Sequence, residues 1–201
     1  MSREPRARRR LPDLIVESAM IVLSVLLALA ANGWADSRKQ HRLEQQAHAS
    51  FIREIRANRA LVARALPYHE ALTRAVIAVD ASGGVPSYAA WKKRVPIWSG
   101  LEPPDLSATA WQSALTTGAI SGRPFGEVTA LSRLYTVQNK LDAFTLAYLP
   151  LFDFADPAMV GTVRRLNVYM QTVLSFEHEL VREYDAALTA LGEADPAKTR
   201  P

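Results

Sequence analysis

The feature that most constrains this chain is an apolar run near its beginning, from Leu14 to Trp34 (LIVESAMIVLSVLLALAANGW). Glu17 is the only charged residue in the run, and between Ala19 and Ala31 the only polar side chain is the Ser24 hydroxyl. As an α-helix with a rise of about 1.5 Å per residue, the run would be roughly 30 Å long, which matches the hydrocarbon core of a bilayer. The sequence therefore predicts one transmembrane helix over residues 14–34.

The charges on either side of this run predict its orientation in the membrane. Only three cationic residues follow it closely, whereas five arginines precede it: Arg3, Arg6, Arg8, Arg9 and Arg10. The more positive flank of a membrane helix usually stays in the cytoplasm. We therefore expect residues 1–13 to be a basic cytoplasmic tail, and the topology signal to consist of Arg6, Arg8, Arg9 and Arg10. The remainder of the chain is then expected to be extracytoplasmic.

Three residues near the ends of the run are expected at the membrane interface. Trp34 and Asn32 fall at the outer end, where an indole ring can bury its apolar part and donate a hydrogen bond to headgroups. Glu17 lies close to the basic end, within reach of the headgroup layer or of an arginine. We interpret Glu17 as a tolerated boundary charge rather than as part of a proton relay. The bilayer is the first partner that the sequence predicts.

A cleaved signal peptide is the main alternative for this segment. The basic start, the apolar middle and the small residues around Ala28, Ala30 and Ala31 resemble a cleavage site of the A-x-A kind. However, the apolar run is longer than a typical signal-peptide core, and the residues after Trp34 continue a helical pattern without a break. We therefore favour an uncleaved membrane anchor, and in either case the bulk of the chain leaves the cytoplasm.

The basic character of the chain is concentrated at its start. The formal net charge is +4, of which residues 1–13 contribute +3, so the remaining residues are nearly neutral. Because a nucleic-acid-binding domain needs a concentrated basic face to neutralise phosphates, nucleic acid is not expected as a partner. The sequence contains no cysteine, which excludes disulfides, thiolate metal sites and cysteine nucleophiles.

Helical periodicity dominates the part of the chain that follows the apolar run. Residues 36–66 contain no proline or glycine, and their apolar residues recur every three or four positions, which predicts an amphipathic helix continuous with the membrane helix. Pro67 is expected to stop or kink this helix, and a shorter apolar stripe follows over residues 68–79. We interpret residues 36–66 as a stalk and core helix. The alternative is a coiled coil that forms a homo-oligomer or binds another membrane protein.

Capping and turn residues mark further helices. Ser87 is suited to cap a short helix that ends at Arg94, and Ser107 is expected to begin another that ends at Gly118, with Trp111 and Leu115 facing inward. A long helix is predicted from Phe125 to the residues before Pro150. A last helix should begin at Asp156 and Pro157 and end at Gly192.

No stretch of the sequence shows the alternation of a β-strand, so we predict an all-α protein. Its N-terminal transmembrane helix is expected to continue into a helical bundle. The bundle would form an extracytoplasmic helical domain over residues 35–191, followed by a disordered tail at residues 192–201.

Two stretches of the chain resemble a known family. The run ESAMIVLSVLLALAANGWADSRKQHRLEQQAHASFIREIRAN opens a membrane helix with Glu17, closes it with Asn32 and Trp34, and leads directly into a charged helix. A second stretch, TAWQSALTTGAISGRPFGEVTALSRLY, contains Trp111, Leu115, Thr117, Gly118, Leu134 and Tyr135. Both are similar to a family of uncharacterised bacterial membrane proteins (DUF6090-like), whose membrane helix ends in Asn-x-Trp. The resemblance implies a single-pass protein of the bacterial inner (cytoplasmic) membrane with a helical domain outside, and it implies no activity.

The sequence gives little indication of catalytic chemistry. His41 and His48 are seven residues apart on the stalk, but no carboxylate lies at ligand spacing on both sides, so we interpret them as solvated surface groups. The stretch FEHELVRE around His178 differs from an H-E-x-x-H zinc motif, and we interpret it as an acidic helix face in which Arg182 pairs with Glu179 or Asp185. The glycine-rich phosphate loops and the G-x-S-x-G elbow are absent. We therefore predict no catalytic residue, no metal site and no cofactor.

These observations favour a membrane-anchored helical interaction or scaffold module of the bacterial envelope. The alternative is an exported or membrane-tethered hydrolase or metal-dependent enzyme, whose site would be assembled from side chains that are distant in sequence. Convergent polar groups in a deep pocket would favour the enzyme, whereas an exposed apolar or aromatic patch would favour binding.

Overall fold

A computed structural model describes residues 11–155 and 159–193, and every long element in these ranges is an α-helix. The predicted all-α class is confirmed. Three predictions lie outside the described residues: the arginine topology signal, the Asp156 and Pro157 cap, and most of the predicted disordered tail. The chain divides into two units, residues 1–45 and residues 46–201.

Five α-helices and one short 3₁₀ helix follow one another along the described part of the chain. In order, they are α1 (Leu11–Ala81), α2 (Tyr88–Arg94), α3 (Thr109–Thr117), α4 (Phe125–Tyr148), the 3₁₀ helix Leu149–Leu151, and α5 (Val160–Ala190).

The first unit contains the apolar part of α1. The large apolar side chains between Leu14 and Leu29 are 44–64% exposed. The one hydroxyl in the middle of this stretch is satisfied within the helix, because Ser24 Oγ donates to the Met20 carbonyl at 2.8 Å. Among the described residues, α1 is the one helix long and apolar enough to cross a membrane. A helix suits that environment because its backbone polar groups bond to one another.

The second unit is built on an antiparallel pairing of α1 with α5. Contacts between them run in opposite chain directions: Asp80 bonds to Asn167, His69 to Glu177, Arg59 to Asp185, and His48 to the Leu191 carbonyl. α5 is also antiparallel to α4, since Arg133 pairs with Glu183 and Phe144 stacks on Tyr169.

α4 runs in the same direction as α1, because Glu54 bonds to Tyr135 and Asn58 bonds to Gln138. Two parallel helices cannot be joined by a tight turn, so residues 82–124 return the chain along the bundle. This crossover carries the short helices α2 and α3 and, between them, a segment without regular structure over residues 95–108.

The core lies between the three long helices and is closed by aromatic contacts from the crossover. Buried apolar side chains of α1, α4 and α5 include Phe51, Ile55, Val62, Leu72, Leu131, Leu134, Leu141, Leu166, Met170 and Leu180. Trp111 of α3 stacks on Tyr135 at 5.4 Å, and Trp98 packs against Trp91 at 5.4 Å. Trp98, which stands in a proline-rich loop, is thus held by packing.

Pro67 was expected to stop or kink the helix, and the first of these alternatives is wrong, since α1 continues through Pro67 to Ala81. Proline removes only the bond from its own nitrogen to the carbonyl of Ala63. The turns on both sides of Pro67 bury apolar side chains, among them Val62 and Leu72, and this packing outweighs the missing backbone bond.

The prediction that Leu115 faces inward is also wrong. In α3 the buried residues are Ala110 and Ala114, whereas Leu115 is 51% exposed. The error arises because α3 is short, so its apolar residues are too few to define a face. Phe125 begins α4 as predicted and is 86% exposed.

Candidate functional site

The predicted membrane-interface residues lie on the exposed surface of the first unit. Glu17 is next to Val16 and Met20 on the apolar helix, and Asn32 is likewise exposed. The Trp34 ring is 62% exposed, and the Arg38 guanidinium lies 4.1 Å from its centre. An amphipathic ring beside a cation is suited to the headgroup layer. The helix surface that these residues border is the first candidate functional surface.

A buried ion-pair site joins the two long helices of the second unit. His69 of α1 and Glu177 of α5 are both completely buried, and their Nδ1 and Oε1 atoms are 2.7 Å apart. The other ring nitrogen, His69 Nε2, is 2.9 Å from the Leu101 carbonyl oxygen in the crossover. One imidazole therefore links α1, α5 and the loop.

The partners of this imidazole determine how many protons it holds. A carbonyl oxygen can only accept, so Nε2 must carry a proton that it donates to Leu101. In a neutral imidazole, Nδ1 would then carry no proton. Nδ1 and the carboxylate oxygen of Glu177, 2.7 Å apart, would be two hydrogen-bond acceptors in contact without a donor. A proton therefore lies between Nδ1 and Glu177 Oε1 and gives either an imidazolium with a carboxylate or a neutral imidazole with a carboxylic acid.

The pKa of His69 reflects the same competition. Burial acts to lower the pKa, but the hydrogen bond and negative charge of Glu177, the Leu101 carbonyl and the charge of Glu102 outweigh it and raise the pKa above 6.5. Because both ring nitrogens are engaged and the side chain is completely buried, His69 is arranged as a structural link. It is not placed to act as a general base on a substrate.

A second polar network fixes the far end of the same loop. Asn58 Nδ2 donates to the Ser107 carbonyl at 2.7 Å, and Asn58 Oδ1 accepts from the Ser107 N–H at 3.1 Å. Gln138 Nε2 donates to that carbonyl as well, at 3.0 Å. Asn58 is buried, and its amide bonds to both the N–H and the carbonyl of Ser107. A neighbouring β-strand would bond to the same two backbone groups.

Glu54 supplies the helix cap that α3 lacks. Ala108 is the N-cap of α3 and has no side-chain acceptor, but Glu54 Oε2 accepts from the Ala110 N–H at 2.9 Å and from the Ser107 hydroxyl at 2.7 Å. A carboxylate at a helix N-terminus also interacts favourably with the helix dipole. The predicted start of α3 at Ser107 is therefore displaced to Thr109, because the capping group comes from α1.

The phenols in this network are neutral donors. Burial, followed by the hydrogen bond and charge of Glu54, raises the pKa of Tyr135, whose hydroxyl lies 2.7 Å from Glu54 Oε1. Burial also raises the pKa of Tyr184, with smaller contributions from the charges of Asp142 and Glu54. Neither phenol is therefore placed to act as a base near neutral pH.

Between the contact of His69 with Leu101 and the contacts of Asn58 with Ser107, a short acidic and proline-rich segment is exposed. Tyr68 Oη donates to the Gly100 carbonyl at 2.6 Å, so residues 100–101 and residue 107 are fixed to α1. Glu102, inside the anchored stretch, has a φ of 44°, in the left-handed region that non-glycine residues adopt at a cost of about 1 kcal/mol or more. Pro103, Pro104 and Asp105 follow it. The anchoring contacts hold this conformation in place.

The exposed segment forms the common wall of two concave surfaces. One, of about 460 Å³, is lined by the segment with Arg64 and Tyr68 of α1. The other, of about 400 Å³, is lined by the segment with Asp142, Thr145 and the leucines Leu106, Leu141, Leu146 and Leu149. We call the second surface the leucine groove. Its residues come from the crossover, from α4 and from the 3₁₀ helix.

Two predicted surface groups are solvated, and two others have specific partners. His41 is exposed beside Glu44, and His178 lies 3.6 Å from Glu70 at a mostly exposed position. His48 is half-buried and bonds to the Leu191 carbonyl at 3.1 Å. Asp185 pairs with Arg59 of α1 at 2.6 Å, so the predicted pairing of Asp185 with Arg182 is wrong.

Sequence reasoning missed the most buried polar pair. The interpretation of FEHELVRE as an acidic helix face is wrong for Glu177, which is completely buried. A signal was present, since His69 lies on the continuation of the stripe that contains Ile55, Asn58 and Val62, and Glu177 lies on the buried face of α5 with Val173 and Leu180. The expectation that Pro67 stops or kinks the helix hid this continuation.

In the part of the chain that the structure describes, no group of three or more histidine, aspartate or glutamate side chains is arranged to hold a metal ion. Comparisons of the chain with models of known protein families, with curated proteins and with solved structures gave no match. The resemblance to the DUF6090-like family stays a prediction.

Proposed function

We propose that this protein is a membrane-anchored helical interaction module whose second unit binds a neighbouring protein. The observation that carries the proposal is the exposed apolar surface of α1 between Leu14 and Trp34, a stretch that at about 1.5 Å per residue has roughly the length of a bilayer core. Such a surface is stable in lipid and would cause aggregation in water.

The arrangement of the second unit supports binding rather than catalysis. His69 bonds to Glu177 and to the Leu101 carbonyl of the loop, and Tyr135 bonds to Glu54, so these polar groups are engaged within the fold. The concave surfaces beside that loop combine leucines, prolines and carboxylates. This composition resembles a protein contact surface more than an enclosed catalytic pocket. The rival proposal, a hydrolase or metal-dependent enzyme, has no comparable observation in its favour.

The anchor is proposed to lie in the bacterial inner membrane, with residues 1–13 in the cytoplasm and residues 35–191 outside. The excess of arginine before the apolar run supports this orientation. The proposal includes oligomerisation or membrane-protein binding through residues 36–66. Its buried residues Phe51, Ile55 and Val62 are covered by the chain itself, which leaves the other faces for such contacts.

Reporter fusions test the proposed topology. A reporter that folds only outside the cytoplasm, fused after Pro201, should be active, and a reporter that functions only inside the cytoplasm should be inactive at the same position. As a matched control, replacing Arg6, Arg8, Arg9 and Arg10 by glutamine should reduce the difference between the two reporters. An active cytoplasmic reporter on the unaltered chain would contradict the proposed orientation.

A further inference from the structure

We propose that the leucine groove binds a segment of a partner protein in which an aliphatic side chain is followed, within one helical turn, by lysine or arginine. The inference rests on the proposed function, since it assigns the partner chemistry of an interaction module. It is carried by the apolar floor of the groove, by the two carboxylates at its edge, and by the absence of cations among its lining residues.

The apolar part of the groove is open to a macromolecule. Leu146 is 70% exposed and Leu149 is 41% exposed, while Leu141 is buried beneath them. The groove has a volume of about 400 Å³, which accommodates a few side chains. Leu146, one of its lining residues, is strongly exposed, so the groove is open to solvent at this position. This shape fits the face of a helix or an extended segment better than it fits a small molecule that must be buried on most sides.

The negative charge that lines the groove favours a cationic partner. Asp105 and Asp142 line the same groove, and neither forms an ion pair with a cation among the described residues. Burial, followed by the nearby charge of Asp105, raises the pKa of Asp142. A lysine or arginine bound near these two carboxylates would offset the unfavourable interaction between like charges.

The same charges argue against other occupants. Anionic lipid headgroups and nucleic-acid phosphates would be repelled by Asp105, Asp142 and the adjacent Glu102. A purely apolar partner would leave two carboxylates facing apolar surface, with a desolvation cost and no compensating bond. A cationic and aliphatic segment satisfies both parts of the groove. An exposed leucine would contribute contact area, and the charges would contribute specificity.

Site-specific photocrosslinking in native membranes tests the assignment. The full-length protein is produced with a photoreactive phenylalanine analogue at Leu146, irradiated in cells, and purified, and the crosslinked peptide is mapped by mass spectrometry. We expect a peptide from another protein that carries an aliphatic residue and a lysine or arginine within four positions. The same analogue at Phe125, which is 86% exposed on the same helix but outside the groove, is the matched control.

A charge variant tests the role of the carboxylates. Asp105→Asn combined with Asp142→Asn should reduce the Leu146 crosslink by about tenfold, as expected for the loss of two partly exposed ion pairs. Glu179→Gln, which removes a charge from α5 outside the groove, should leave it unchanged. Because neither groove carboxylate forms an ion pair with a cation among the described residues, the double variant should fold, which circular dichroism checks.

Several outcomes would overturn the assignment. These are a crosslinked segment without a cation, capture of lipid or of a second copy of this chain, or a crosslink that the double variant does not weaken. A crosslink at Phe125 with none at Leu146 would overturn the groove while leaving the interaction function intact. If no position in the second unit captured a protein, the proposed function itself would fail.

Discussion

At the scale of single residues, the fold depends on a few buried polar groups that each join three segments. His69 joins α1 to α5 and to the Leu101 carbonyl, while Asn58 joins α1 to Ser107 and to Gln138 of α4. Buried polar groups of this kind contribute modestly when satisfied and cost more when one partner is lost. They specify the position of the crossover, because a crossover placed elsewhere would leave these buried side chains without their hydrogen-bond partners.

The His69 and Glu177 pair should make the stability of the protein depend on pH. Because the pKa of His69 in the folded state is raised above 6.5, the pair contributes its full stabilisation below pH 6.5. That contribution should be lost as the pH rises through the raised pKa and the shared proton leaves. The free energy of unfolding of the full chain in detergent micelles, measured by chemical denaturation at a series of pH values, checks this.

Glu177→Gln is the control for that prediction. A glutamine amide can donate to a bare Nδ1, so a neutral His69 would be satisfied at all pH values above 6.5. We expect the variant to be less stable by about 1–3 kcal/mol in mildly acidic buffer and to lack the decline at alkaline pH. A variant that showed the same decline as the unaltered protein would contradict the assignment to this pair.

Asn58→Ala should destabilise the protein by about 2 kcal/mol, because the Ser107 N–H loses its acceptor and a cavity replaces the amide. Asn139→Ala, at an exposed position of α4, should change stability by less than about 0.5 kcal/mol. Chemical denaturation of both variants in parallel gives the comparison. Equal effects would show that the Ser107 contacts do not stabilise the fold.

At the scale of secondary structure, the features that the sequence predicted best were helix ends that depend on residues close together in the chain. The Ser87 cap of α2, the Gly118 end of α3 and the Gly192 end of α5 were predicted correctly, since each relies on local chemistry. The start of α3 was not predictable in this way, because its capping carboxylate, Glu54, is more than fifty residues away in sequence. The same holds for Glu177, whose partner lies on another helix.

Pro67→Ala should increase the stability of the protein by about 1–3 kcal/mol. Position 67 lies within α1, and an alanine there restores the N–H that can bond to the Ala63 carbonyl. Pro96→Ala, in the loop after α2, is the control and should leave stability unchanged or slightly lower, because no helical bond is gained and the unfolded chain becomes freer. Thermal unfolding of both variants measures this. A loss of stability in Pro67→Ala would indicate that proline geometry positions Tyr68 and His69.

At the scale of the whole molecule, an apolar helical segment with an exposed surface is joined in sequence to a helical unit with its own core. The helical class and the apolar segment could be predicted from composition and periodicity alone, because both follow from local sequence. The leucine groove could not, because its residues come from three separate segments that only the crossover brings together.

Replacing both Leu23 and Leu26 by arginine should move much of the protein out of the membrane fraction. Each arginine near the centre of a membrane helix costs about 2.5–3.5 kcal/mol on insertion scales. Replacing the same two residues by phenylalanine should leave the protein in the membrane fraction. Quantitative immunoblotting of membrane and soluble fractions compares the two pairs, and equal release would argue against a spanning helix.

The most direct test of the membrane anchor is alkaline carbonate extraction of membranes, followed by intact-mass measurement of the protein in each fraction. A retained, uncleaved anchor predicts that the full 201-residue chain stays in the pellet. Release of the full-length chain into the supernatant, or a mass that shows cleavage after Ala30 or Ala31, would contradict it.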